Sequence, residues 1–176
     1  MAVLALAVAG RAAAIGVGLI FLIAGIDQWR HRILLPGVIA NYRLLPRAMI
    51  APAAALLPML EILLGGALIA GLAPLSLVAA IALLLVFAGA MAINIRRGRT
   101  HIDCGCGHGA LRHPIGWPLV IRNLALATLL LPGLLPAPSL SAMDSASALG
   151  AGITIALLVH LFQSLGALAA SPVHRR

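Results

Sequence analysis

What this chain has least of is charge. Only 9% of its residues are Asp, Glu, Lys or Arg, against about 25% in a soluble globular domain. With 62% hydrophobic residues and a mean hydropathy of +1.12, that deficit excludes a soluble domain and points to the membrane. Aromatics are scarce as well, at 3%, so the helices must pack through Leu, Ala, Ile and Gly. Lysine is absent, and all twelve cations are arginines. Against four acids they leave a formal charge of +8. A basic balance raises nucleic-acid binding. Here the arginines stand in short blocks between apolar runs, the pattern that orients membrane helices. Nucleic acid is therefore excluded as a partner, and membrane lipid is the expected surrounding. The first residues lack a basic segment before the apolar run and lack an A-x-A-like cleavage site. A retained first span is expected there, not a removed signal peptide.

What is there is long apolar runs. A bilayer core about 30 Å thick needs roughly 20 helical residues, and five stretches qualify. The first is expected over about Ala12–Ile26, extended upstream through Ala2–Gly10 with Arg11 snorkelling, and closed by the Asp27–Arg32 run with Trp29 as an interfacial anchor. Leu34–Arg47, broken by Pro36 and Pro46, reads as a short amphipathic piece along the interface. The second span is about Ala48–Leu72, with Pro52, Pro58 and a mid-span Glu61; Gly66 and Ala70 offer a small-residue face for a close helix. A short turn at Ala73-Pro74 predicts an antiparallel hairpin with the third span, Leu75–Ile95. The fourth starts at Trp117-Pro118, proline being a helix-start residue, and ends near Leu135. Ser139–Ser147 reads as a small polar loop carrying Asp144, and the fifth span as Ala148–Ala169 with His160 inside it. The expected fold is all-α: a polytopic helical membrane bundle in one domain, residues 1–176, with a four-helix core and a fifth C-terminal transmembrane helix.

The distribution of arginine sets an expected orientation. Arg30, Arg32, Arg43 and Arg47 follow span one; Arg96, Arg97, Arg99 and Arg112 follow span three; Arg175 and Arg176 end the chain. The loops after spans two and four have none. With five spans these blocks share one side, which should be cytoplasmic. The expectation is an inner (plasma) membrane protein with its N-terminus out, its C-terminus in and Arg11 alone on the outer side.

Between spans three and four lies the one stretch rich in chemistry, His101-Ile102-Asp103-Cys104-Gly105-Cys106-Gly107-His108-Gly109, with both cysteines of the chain. Gly105 between them removes crowding and permits unusual backbone angles. A disulfide across so small a ring is strained, and strained exposed disulfides are the labile, oxidising ones. The start of span four and Arg99, Arg112 and Arg122 are available to lower a thiol pKa. Cys104 and Cys106 are thus a candidate redox pair, in which one thiolate attacks a partner disulfide and the other resolves the mixed disulfide. His101, Cys104, Cys106 and His108, with His113, offer an alternative Cys/His set for Zn²⁺ or Cu(I). That set suits a non-enzymatic metal-binding or assembly protein, although its spacing matches no zinc finger. Two inert loop cysteines are the remaining reading. The shortage of polar residues at mid-membrane argues against small-molecule transport.

Six segments carry a resemblance: Asn41-Tyr42-Arg43-Leu44-Leu45-Pro46, Pro58 through Glu61 to Gly65, Ile93-Asn94-Ile95-Arg96-Arg97-Gly98, Asp103-Cys104-Gly105-Cys106-Gly107, Trp117 and Arg122-Asn123. In these the chain resembles the MauE family of methylamine-utilisation membrane proteins, itself similar to DoxX-like helical bundles. The likeness is strongest over about residues 12–136. Members often carry an aromatic after the second cysteine, where this chain has Gly107 and His108. The resemblance implies a role in processing, transport or maturation of the methylamine dehydrogenase small subunit, or of a similar disulfide-rich exported protein, with a thioredoxin-like partner. A quinone is a candidate final electron acceptor, for which no motif specifies a site. Glu61, an acid at mid-bilayer, is a functional candidate by default: a proton relay, or a partner of Arg122 or Asn94. Arg122 and Asn123 are expected to hold the cysteine loop by hydrogen bonds to its backbone, with Asp103 and Asn94 as further loop support. Asp27 is expected to pair with Arg30 or another interfacial arginine.

Overall fold

The computed structural model describes residues 1–105, 114–136 and 138–170, with side chains described through residue 166. Its helices are α1 (Ala2–Arg30), α2 (Leu35–Tyr42), α3 (Arg47–Ala70), α4 (Leu75–Arg96), α5 (Trp117–Leu130) and α6 (Ala142–Ala170), with a 3₁₀ turn at Leu131–Leu134 after α5. Five of these segments, α5 counted with its 3₁₀ turn, are long and apolar enough to cross a membrane.

α1 is the central post. Its 29 residues reach about 43 Å at 1.5 Å per residue, the thickness of a bilayer with its headgroups. It therefore includes the upstream extension expected from Ala2 and runs past the expected end at Ile26 to Arg30. α3 packs along one side of it and α6 along another. In lipid, burying a leucine gains little over leaving it against acyl chains, so association depends on how closely backbones approach. The contact with α3 shows this. Gly18 and Gly65 face each other so closely that a Cβ on Gly65 would stand 2.7 Å from the Gly18 carbonyl oxygen. Gly66, the position expected to make this contact, faces open space. The reason is helical phase: the buried stripe of α3 is Ala54, Pro58, Glu61, Leu64, Gly65 and Leu68, and Gly66 lies off it.

Arg11 does not snorkel. Its guanidinium donates to the backbone carbonyls of Leu68 (3.0 Å) and Ile69 (2.7 Å). Those carbonyls belong to the last turn of α3, which lacks intrahelical partners and carries the negative end of the helix dipole. The chain then turns through Gly71 in the left-handed region, φ 80°. α3 and α4 are consecutive and joined by a short turn, but they touch sparingly: α3 leans on α1 and α4 packs on α5. Leu77, Ala80 and Leu84 of α4 meet Leu126, Ala127 and Leu130 of α5 in the main core, together with Val17 and Phe21 of α1.

The last helix starts earlier than its apolar run. Ser141 and Asp144 form a reciprocal cap, Asp144 Oδ2 accepting from Ser141 N (3.1 Å) and Oγ (2.6 Å) while Ser141 Oγ accepts from Asp144 N (3.2 Å). The expected polar loop over Ser139–Ser147 is thus mostly the first turns of α6. The Ser-x-x-Asp spacing is the signal that marks this start.

Candidate functional site: a cysteine loop over a polar-headed cavity

The cysteine loop is pinned at its base. Ile115 N donates to Ile102 O at 3.0 Å, and Asp103 pairs with Pro114 in an isolated antiparallel bridge. Ile102 and Ile115 are buried with Ala88, Met91 and Val120, which fixes the base on α4 and α5. Within the loop, Gly105 N donates to Asp103 Oδ1 at 3.2 Å, a side-chain turn of the kind Asp favours. Gly105 itself has φ +77°, a left-handed conformation that costs little without a Cβ.

Two side chains from outside the loop hold its backbone. Tyr42, at the end of α2, donates its hydroxyl to the Cys104 carbonyl at 3.2 Å. Gln28, on the last turns of α1, donates Nε2 to the Gly105 carbonyl at 3.4 Å. Neither stood out from sequence as a loop support. Tyr42 reads as an interfacial anchor, and Gln28 reads as part of the polar run ending span one. The signal was the phase of α1: Phe21, Gly25 and Gln28 recur on its buried face. Arg99 fastens α2 in turn. It donates to Asn94 Oδ1 (3.0 Å), Tyr42 O (3.4 Å) and Asn41 O (2.6 Å), joining the end of α4 to the carbonyls that end α2. Its guanidinium is thereby committed to Asn94 and to the α2 backbone. Asn94, fully buried, also donates Nδ2 to Ala90 O of its own helix at 3.1 Å. It supports the loop through Arg99 and Tyr42.

Beneath the loop lies a cavity of about 830 Å³ lined by residues of α1, α2, α3, α4, α5 and α6. Its walls are mostly aliphatic, including Ile20, Leu35, Leu57 and Leu84. Its polar residues include Asp27, Gln28, Tyr42, Glu61, Arg122 and Asn123, beside Cys104 and Gly105. Glu61 and Asn123 are each 2% exposed and Gln28 4%. Burying polar groups among hydrocarbon costs free energy unless they find partners, so a cluster this dense is not packing by default. Arg122 donates Nε (3.3 Å) and Nη2 (3.1 Å) to Asn123 Oδ1. The described bonds to the loop backbone come from Gln28, Tyr42 and Asp103. His160, expected as an embedded histidine, is exposed and lines the cavity from α6.

The structure thus brings Cys104, Glu61, Arg122 and Asn123 to one cavity, and sets Asp103 and Asn94 behind it. Among the described contacts, Asp27 Oδ1 lies 3.3 Å from His31 Nδ1. His101 is exposed. Cys106, His108, Arg112 and His113 lie outside the described residues, so the expected pair and most of the alternative metal set are only partly placed. Among the described residues no three His, Cys, Asp or Glu side chains form a metal-sized group. Trp29 and Trp117 are exposed at helix ends, as interfacial anchors require, and Arg32 stacks over the Trp29 ring at 5.9 Å.

Five apolar helices around an internal cavity with a buried polar head define a multi-pass helical membrane protein. Comparison with known proteins gives its kin. The family model "Methylamine utilisation protein MauE" matches residues 2–136, and the chain belongs to that family. It is 44% identical over 151 residues to the methylamine utilization protein MauE of Paracoccus denitrificans, covering 84% of this chain and 81% of that one. Against the protein of the same name from Methylophilus methylotrophus it is 44% identical over 124 residues, 65% of this chain and 62% of that one. The Methylorubrum extorquens protein is 39% identical over 140 residues, 77% and 75% of the two chains. No solved structure matches the chain.

Proposed function

We propose that this chain is a thiol–disulfide factor of the inner membrane that serves methylamine utilisation by maturing a disulfide-rich exported protein, the methylamine dehydrogenase small subunit or one like it. The observation that carries the reading is the setting of Cys104. Its carbonyl and that of Gly105 are held by Tyr42 and Gln28, and it faces a buried polar cluster. Fixing the backbone next to a reactive sulfur is how a site holds an attack geometry. The names of the relatives supply the pathway.

The chemistry is exchange. A loop thiolate attacks the disulfide of a thioredoxin-like partner, one sulfur–sulfur bond forms as another breaks, and the partner leaves as a thiolate when the second loop cysteine closes the Cys104–Cys106 bond. Run backwards, the same steps pass two electrons from a partner dithiol to the loop disulfide. Glu61 is the proton relay in this reading, and Arg122 favours a thiolate at the cavity head. The arginine distribution orients the chain with its N-terminus out and the loop at the inner interface.

Equilibrating the purified protein over a range of dithiothreitol redox ratios, then alkylating and counting free thiols, tests this. The expected result is one reversible two-electron couple that disappears in Cys104→Ser. Absence of a disulfide at every ratio, together with one bound Zn²⁺ or Cu(I) per chain, would overturn it in favour of a metal-binding assembly protein.

A further inference from the structure

The cavity beneath the loop contains two buried polar atoms whose direction is fixed and whose partner is missing. Gln28 gives Nε2 to the Gly105 carbonyl, which leaves Oε1 as an acceptor. Asn123 takes two Arg122 donors on Oδ1, which leaves Nδ2 as a donor. Neither Gln28 Oε1 nor Asn123 Nδ2 has a hydrogen-bond partner among the described residues. Both side chains are more than nine-tenths buried and both line the cavity. An unpaired buried polar atom destabilises a fold, and a native fold keeps two lining one cavity when a ligand satisfies them.

The rest of the cavity says what that ligand is like. About 830 Å³ of mostly aliphatic wall holds a small ring with a branched hydrocarbon tail. Its head must offer an acceptor to Asn123 and a donor to Gln28. It must also suit a site walled by Cys104.

We propose that the cavity binds an isoprenoid quinone, with the ring at Gln28 and Asn123 and the tail along the aliphatic wall. A quinone carbonyl accepts from Asn123 Nδ2, and the hydroquinone hydroxyl donates to Gln28 Oε1, so the two orphan groups match the two redox states. Electron transfer rests on the thiol reading above; binding does not. In the transfer, two S–H bonds of the Cys104–Cys106 dithiol break and one S–S bond forms. Two electrons and two protons pass to the ring, and both carbonyls become hydroxyls. The quinone then sets the direction of exchange: partner dithiols are oxidised, and the electrons leave through the membrane pool.

Decylubiquinone titrated into the purified protein in lipid nanodiscs, followed by calorimetry, is the test. Saturable binding at one site per chain is expected. Asn123→Leu weakens it about tenfold, and Gln28→Leu weakens the binding of decylubiquinol, titrated in parallel, about tenfold, each through the loss of one hydrogen bond. Ala53→Trp, which puts a bulky ring into the cavity wall, abolishes it with helix content unchanged, so misfolding is separable from loss of the site. Cys104→Ser no longer bleaches the quinone's ultraviolet absorbance after prior reduction of the protein. Binding without bleaching in the parent would uphold the site and overturn the thiol reading. A normal dithiol couple with no decylubiquinone binding, and only phospholipid acyl chains extracted from the protein, would overturn the site and leave the thiol reading standing.

Discussion

At the scale of single residues, Gly105 shows how the loop is specified. Its φ of +77° is strained for any residue with a Cβ, at about 1–2 kcal/mol. A Cβ there would also stand 3.0 Å from Val38 Cγ1. We predict that Gly105→Ala lowers the thermal unfolding midpoint of the protein in detergent, and that adding Val38→Ala does not restore it. Full rescue by Val38→Ala would show that space, not backbone angle, selects glycine. Much of the site was legible at this scale, because Cys104, Glu61, Arg122 and Asn123 are polar residues in a chain with few. Gln28 and Tyr42 were not legible. Their hydrogen bonds span 77 and 62 residues of sequence, and each stands beside arginines that read as the edge of the membrane. A role created by tertiary approach leaves no local mark.

At the scale of elements, hydropathy places helices and leaves their rotation open. α3 lies within two residues of its expected ends, yet the glycine chosen to face a neighbour was one position off. The period of 3.6 separates Gly65 from Gly66 by about 100°, and the polar marker Glu61, one turn before Gly65, fixes the phase only once its burial is known. We predict that Gly65→Val destabilises the protein by about 1–3 kcal/mol, as overpacking does, because α1 must move away from α3. Gly66→Val, with open space before it, changes stability by less than about 0.5 kcal/mol. Comparing the two midpoints under one detergent condition checks this, and equal losses would mean that valine harms α3 by propensity alone. The reach of α1 beyond its apolar core has a similar cause. Arg11 reads in sequence as a snorkelling charge and Gln28 as part of the polar run ending span one, and both are instead spent on backbone carbonyls of other segments.

At the scale of the whole molecule, the question is which side of the membrane the loop occupies. The cationic ends gather around it: Gln28, two residues before Arg30, bonds the loop, Arg99 ties α4 to α2, and Arg122 opens α5. Only Arg11 opposes this arrangement, and it is no mobile surface charge, being held by the last turn of α3. An arginine neutralised against a helix end in this way pulls weakly on topology compared with the clustered loop arginines. The orientation with the loop inside therefore gains weight once Arg11 is discounted. We predict that a membrane-impermeant maleimide added to intact cells leaves Cys104 and Cys106 unmodified, while the same reagent labels them in inverted vesicles after reduction. Labelling from outside would reverse the orientation and set the loop directly against exported substrates. With the loop inside, exported dithiols reach it only through a relay, and an electron acceptor dissolved in the bilayer becomes the shortest exit from the cavity below Cys104.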